Sequence, residues 1–199
     1  MKKLPPEYYL QSDVVFLARD LLGKALMTNI EGHGVTGGII VETEAYAGEM
    51  DRASHAFGGR RTNRTETMYM KGGVAYVYLC YGMHHLFNLI TNIEGIPHAI
   101  LIRGIEPIAG LELMSHRTGK PFEKLQILNG PGKLTKALGI STRHDKVSLS
   151  GDTIWIENHN LSQEQYRILI GPRIGVDYAG EHSGWPYRFQ LEKPPSMLF

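Results

Sequence analysis

Two runs rich in β-branched and apolar residues, Lys24–Ile30 and Val35–Thr43, are separated by Glu31-Gly-His-Gly34. A short glycine-containing connection between strand-forming runs predicts an antiparallel hairpin. The second run continues into Val-Glu-Thr-Glu-Ala-Tyr (41–46), so its exit delivers Glu44. Residues i and i+2 of an extended strand share a face, so Glu42 and Glu44 point the same way. A chain that places two carboxylates on one face of a strand must give them water, cations or chemistry.

A second hairpin follows. Lys71-Gly-Gly73 turns the chain into Val74–Tyr81, and Gly82 returns it into the strand-like Leu86–Thr91, leaving Tyr81, Met83, His84 and His85 near the tip. His98–Arg103 reads as an apolar strand ending in an arginine. Pro107 suits a first helical turn, with Ile108, Leu111, Leu113 and Met114 continuing the helix. Asn129-Gly-Pro-Gly-Lys133 opens another helix through Ala137, closed by Gly139, and Ser12-Asp13 caps one that stops at Gly23. Thr153–Glu157, Arg167–Val176 and Tyr187–Leu191 read as strands. Ala47–Thr67 is polar, rich in Gly and Arg and aperiodic, the pattern of a functional loop. There is no repeat or internal linker, and the tail 193–199, with Pro194-Pro195, is expected to be loose.

At 199 residues, 42% apolar and 21% charged, the composition is that of an ordinary soluble domain. No apolar run approaches the ~20 residues of a membrane helix, and Pro5, Pro6 and Glu7 interrupt any signal-like start. One cysteine, Cys80, excludes an internal disulfide and a multi-cysteine metal site, and points to a reducing cytoplasm. The net charge of +1 carries no nucleic-acid signal, but Arg52, Arg60, Arg61, Arg64 and Lys71 cluster just after the paired acids. Such a stripe suits phosphate contacts or a plain solvated loop.

Glu44 is the first candidate for chemistry, because general-base work needs a carboxylate at a cleft wall within reach of one water. Glu42 fits a structural partner for an arginine. Arg103 either positions a catalytic carboxylate and its water or forms a buried ion pair. Tyr78 and Tyr81 could stack on or wedge between bases, or pack in a core, where Tyr76 belongs. His55, His84 and His85 fall in no metal-binding spacing, and no cofactor motif is present. Gly130-Pro-Gly132-Lys133, entering a helix, could hold a phosphate.

Val-Glu-Thr-Glu-Ala-Tyr (41–46), Ser-His-Ala-Phe-Gly-Gly-Arg (54–60), Met-Tyr-Met-Lys (68–71), Tyr-Val-Tyr-Leu-Cys-Tyr-Gly-Met (76–83), Leu-Ile-Arg-Gly-Ile-Glu-Pro (101–107), Asn-Gly-Pro-Gly-Lys-Leu (129–134) and Arg-Ile-Gly-Val (173–176) occur in order. Together they resemble the alkyladenine (3-methyladenine) DNA glycosylases of the mammalian type. The resemblance implies one mixed α+β domain over 1–199, with a curved antiparallel β-sheet, flanking helices and a protruding β-hairpin that inserts into DNA. It implies a monofunctional, cofactor-free and metal-free enzyme that flips damaged purines from duplex DNA and hydrolyses the N-glycosidic bond.

By motif, Glu44 would activate water and Arg103 would help to position it. Tyr46, His55 and Tyr78 would line the base pocket, Asn88 would disfavour a guanine 2-amino group, and Tyr81 would fill the gap in the stack. Secondary DNA contacts would fall to Arg60, Arg61, Arg64, Met83, His84 and Lys133. The expected partner is double-stranded DNA with damaged purines, bound by a monomer with no obligate protein partner and no membrane. His84-His85 replaces bulky aromatic residues of the mammalian enzyme, and the absence of a long polar N-terminal extension suggests a bacterial member, located in the cytoplasm. Two readings stay open beside this one. One is a sugar or nucleoside glycosidase using Glu42 and Glu44, whose side chains would lie roughly 6–7 Å apart. The other is a damage-binding protein without turnover.

Overall fold

The computed structural model describes residues 1–121, 127–159 and 166–192. Helix α1 (Val14–Asp20) starts where expected: the Asp13 carboxylate accepts the Val15 and Phe16 amides at 3.0 and 2.9 Å, a side-chain cap for otherwise unpaired donors. The strands are β1 (Lys2–Lys3), β2 (Ala25–Asn29), β3 (Val35–Ala47), β4 (Ala75–Cys80) and β5 (His84–Thr91). They continue as β6 (His98–Ala109), β7 (Leu128–Asn129), β8 (Ile154–Asn158), β9 (Arg167–Gly171) and β10 (Arg188–Glu192). Helices α2 (Leu111–Thr118) and α3 (Pro131–Leu138) follow β6 and β7.

All described strands join one sheet in the order β1-β8-β2-β3-β6-β5-β4, with β10 pairing β3 and β9, and β7 pairing β6. Each pairing is antiparallel, and helices laid against such a sheet make the fold α+β. Strand β3 is its spine. One edge runs along β6, while the other is divided between β2 at 35–39 and β10 at 42–44. Register shifts between Ile40 and Glu42 and between Glu42 and Thr43 mark bulges in the β3–β6 ladder, irregularities that bend a strand and re-aim its side chains.

Several expected boundaries move. Strand β3 continues past Thr43 to Ala47, so Glu44 lies inside a strand and not at its exit. Flanking β6 and β10 complete both ladders there, which the polar composition of the segment hides. Arg103 is likewise internal to β6, which runs on to Ala109. Pro107 is therefore a strand residue opposite Gly38, beside a register shift, and not a helix starter. Helix α2 begins after Gly110, whose φ of 68° ends the strand. The strand expected over 167–176 stops at Gly171, before Pro172, which has no amide to donate. The tail expected to be loose lies outside the described residues.

The main core packs Leu17 of α1, Leu21 just after it, and Leu134 and Leu138 of α3 against Ile40, Phe87, Leu89, Ile100 and Ile102 of the sheet. A second cluster, Ala56, Met68, Tyr69, Tyr76, Ile90 and Ala99, supports Tyr46 and Tyr78. It joins the 48–70 loop to the sheet, and above it the chain leaves a cavity. No helix among the described residues is long and apolar enough to cross a membrane.

Candidate active site

The cavity measures about 620 Å³. Its walls come from β3 (Tyr46), the 48–70 loop (Ala53, His55, Arg64, Met68), the β4–β5 hairpin, β6 (Leu101, Arg103), the start of α3 and the segment 174–178. Glu44 sits directly behind this wall with 0% exposure, and three partners that do line the cavity hold it. The Ile174 amide donates to Oε1 at 2.7 Å. The Tyr46 hydroxyl donates to Oε2 at 2.8 Å. The Arg103 guanidinium reaches Oε1 at 3.3 Å and Oε2 at 3.5 Å. Burial pushes the Glu44 carboxyl above its ordinary value of 4.5, against the opposing pull of Arg103, the Ile174 amide and the Tyr46 hydroxyl.

Glu42 shares the face of Glu44, as strand alternation requires, but its carboxylate is taken up by Arg103 Nε at 3.2 Å and Arg188 Nη1 at 3.1 Å. Its place is that of the structural partner. Arg103 thus forms a buried ion pair with Glu42 and also reaches Glu44. The carboxylate pair is bridged by a cation instead of being free to flank a sugar.

The hairpin and loop form an aromatic box. His55 and Tyr78 meet at 4.7 Å between ring centroids, inclined by 76°, and Tyr76 lies 5.4 Å from Tyr78. His55 Nδ1 is 3.0 Å from the Tyr76 hydroxyl. Burial, with the charges of Arg64 and Arg60 nearby, lowers the His55 pKa to about 4, so the ring is neutral at physiological pH. Asn88, opposite Tyr76 in the β4–β5 ladder, is buried and donates its amide to the Tyr76 carbonyl at 3.2 Å.

At the hairpin tip Tyr81 and Gly82 have φ of 49° and 71°, the left-handed pair that primed hairpin turns use. Tyr81 is 88% exposed at the rim of the cavity. Across the opening, Gly130, Pro131, Gly132 and Lys133 bring in the α3 N-terminus, and His84 packs so closely over Gly132 that a Cβ there would lie 3.0 Å from its ring.

Of the remaining candidates, Arg64 lines the cavity, with its guanidinium 4.7 Å from the Tyr78 ring centroid. Arg61 is turned to Glu66 and to the Tyr69 ring. Exposed Arg60 and exposed Met83 lie outside the cavity wall. Among the described residues no group of three or more His, Cys, Asp or Glu side chains is placed to hold a metal ion.

Several important residues escape sequence reasoning. Tyr76, assigned to the core, is buried yet also binds His55 from the cavity wall. Ile174 acts through its backbone amide, which carries no sequence signal. Asp51 and Arg173 form an ion pair whose side chains are 0% exposed, although they lie 122 residues apart. The Asp51 carboxylate also accepts the Ala47 and Ala53 amides, while Arg173 donates to the Ala45 and His182 carbonyls and lies 4.9 Å over the Tyr46 ring. This pair ties β3, the 48–57 loop and the 172–178 segment together. Tyr178, 69% exposed at the cavity edge, is anchored through its hydroxyl to the Ala53 carbonyl. The quoted blocks contain Arg173 and Ile174, but only their spatial neighbours give them a role.

The chain also resembles known proteins over most of its length. The family model described as methylpurine-DNA glycosylase matches residues 8–195. A Chlamydia felis protein named "Putative 3-methyladenine DNA glycosylase" is 46% identical over 191 residues, covering 94% of this chain and 95% of its own. Proteins of the same name from Chlamydia pneumoniae and Bacillus thuringiensis are 46% and 45% identical, with coverage of 97% and 96% of both chains, respectively. The chain belongs to the methylpurine-DNA glycosylase family.

Proposed function

We propose that this chain is a monofunctional DNA glycosylase that extrudes alkylated or deaminated purines from duplex DNA and hydrolyses the N-glycosidic bond, leaving an abasic site. The observation that carries the reading is Glu44, held by Arg103, Tyr46 and the Ile174 amide at the wall of an aromatic cavity whose rim bears exposed Tyr81. The target atom is hidden inside the duplex, so the nucleotide must leave the stack, and damaged pairs open at lower cost. Tyr81 fills the gap, while Tyr46, His55 and Tyr78 hold the extruded base.

Departure of the base makes the sugar cation-like. Glu44 stabilises that charge and takes the proton of the attacking water, which Arg103 helps to position. Alkylation makes the base a cationic leaving group that needs no proton. Neutral substrates such as hypoxanthine need one, and His55, with its pKa at about 4, holds no imidazolium proton to give at neutral pH. The buried Asn88 amide, beside the box, disfavours a guanine 2-amino group. Lys133 at the α3 N-terminus, His84, Met83, Arg60, Arg61 and Arg64 serve the phosphate backbone and groove. The reading includes a single domain acting as a cytoplasmic monomer without cofactor, on 3-methyladenine, 7-methylguanine, hypoxanthine and ethenoadenine.

Capture without turnover is the second reading, and the complete burial of Glu44 is what favours it. Base release from duplexes carrying one hypoxanthine or one ethenoadenine, in chelator, followed by alkali, separates the two. Wild type is expected to release base, and Glu44→Gln to lose about 10²–10⁴-fold in rate while still binding damaged duplex. Unchanged release by Glu44→Gln removes Glu44 from the role, and binding without release by wild type establishes capture.

A further inference from the structure

Two of the tyrosine rings that line the cavity, Tyr46 and Tyr78, already carry a guanidinium. Arg173 lies 4.9 Å from the Tyr46 ring centroid and Arg64 lies 4.7 Å from that of Tyr78. The two cations differ in what balances them. Arg173 is locked in the buried pair with Asp51. Arg64 is on the exposed loop, and among the described residues no carboxylate lies within salt-bridge distance of it, whereas neighbouring Arg61 has Glu66. Its contacts include the Tyr78 face, His55 Nε2, 3.4 Å from its Nη2, and the Tyr76 hydroxyl. It therefore lies over the Tyr78 ring at the cavity wall, held by aromatic and imidazole partners, as a positive charge with no carboxylate partner among the described residues.

A tyrosine face attracts a cation through its quadrupole, but a face that already holds one offers less to a second. Any entering base must push Arg64 off Tyr78. A neutral base meets only the loss of that contact. A cationic base also meets the charge of the displaced guanidinium, which the length of its side chain keeps near the cavity mouth.

We propose that Arg64 is a specificity-determining residue of this pocket: it holds the Tyr78 face until a base displaces it, and its charge biases the site against cationic alkylated purines and towards neutral ones. The inference rests on the glycosylase reading and deepens it. The aromatic rings alone favour electron-poor cationic bases, and Arg64 is the counterweight that lets one pocket also serve neutral lesions. Arg64 meets the substrate only as it leaves, so it takes no part in bond breaking.

The test is single-turnover base release from duplexes containing 7-methylguanine (cationic) and hypoxanthine (neutral), by wild type, Arg64→Met and Arg64→Lys. Methionine keeps most of the length and the apolar contact with Tyr78 but removes the charge, and lysine keeps the charge. The ratio of 7-methylguanine to hypoxanthine release is expected to rise about two- to five-fold in Arg64→Met, the scale of an exposed cation–π contact, and to stay near the wild-type ratio in Arg64→Lys. If Arg64 serves only as a phosphate contact, both rates fall together and the ratio does not move, which overturns the proposal. A ratio that falls in Arg64→Met, or moves equally in Arg64→Lys, also overturns it. Absence of release from either duplex by wild type instead refutes the glycosylase reading, and this inference with it.

Discussion

Replacing Asp51 with asparagine should unfold this protein more readily than any change at the cavity surface. The Asp51 and Arg173 side chains are both 0% exposed. One carboxylate oxygen accepts from Arg173 Nη1 and the Ala47 amide, and the other from Arg173 Nη2 at 2.9 Å and the Ala53 amide at 3.0 Å. Burial acts against the Arg173 charge, and Asp51 more than offsets it, so the guanidinium stays charged in the folded state. Asparagine keeps one acceptor, removes the counter-charge and turns an NH₂ towards donors. Removing one partner of a buried pair costs about 3–5 kcal/mol, because the other charge stays buried and uncompensated. At about 2–4 °C per kcal/mol for a chain of this size, Tm should fall by about 6–20 °C.

Urea denaturation of wild type, Asp51→Asn, Arg173→Met and the double variant supplies the assay. The double variant should be more stable than the sum of the single losses predicts, by about 2 kcal/mol or more, since it leaves no lone charge. Single losses below about 1 kcal/mol, or strictly additive losses, would refute the reasoning. Base release should weaken in Asp51→Asn under conditions where it remains folded, because Arg173 leads directly into the Ile174 amide that holds Glu44.

Three further outcomes are expected. A general base must be ionised, and burial raises the Glu44 pKa, so base release should fall on the acid side at a pH above the ordinary carboxylate value of 4.5. Tyr46→Phe removes a donor to the charged form and should move that limb higher still. A profile between about pH 4 and 8 that does not respond to Tyr46→Phe would contradict this. Tyr81→Gly should leave Tm unchanged or slightly raised, because Tyr81 has a φ of 49° that glycine adopts without strain. It should also weaken damaged-duplex binding by about 1–3 kcal/mol, and undiminished binding in a gel-shift titration would exclude the wedge role. His55 has a folded pKa of about 4 against an ordinary 6.5, so the unfolded chain takes up its proton first. Its share of stability is fully present above the unfolded value and is lost as pH falls towards 4, by at most on the order of 3 kcal/mol. Unfolding free energy followed through that range should fall less steeply in His55→Asn, and an identical slope would show the ring to be insulated from the titration.

Local chemistry made much of the fold legible. The cap at Asp13, the glycine turns and the alternation of β-branched residues mark α1, both hairpins and α3 within a few residues, because each depends on neighbours in sequence. The errors lie where a distant strand decides the outcome. Glu44 and Arg103 are chain-internal to longer strands because β10 and β6 pair beside them, and Pro107 is extended because Gly38 lies opposite it.

The residue pattern by itself determined that Glu42 and Glu44 share a face, that a tyrosine-rich hairpin turns at a glycine, and that the ordered motifs are those of one family. Tertiary structure alone decided which carboxylate is shared between two arginines and which is held behind the cavity wall. Arg188 arrives from the last strand to share Glu42 with Arg103, while the Ile174 amide and Tyr46 close on Glu44. It alone joined Asp51 to Arg173 and laid Arg64 on Tyr78. Burial, the field of neighbouring charges and the aim of a backbone amide are properties of assembled space, and no spacing along the chain encodes them locally.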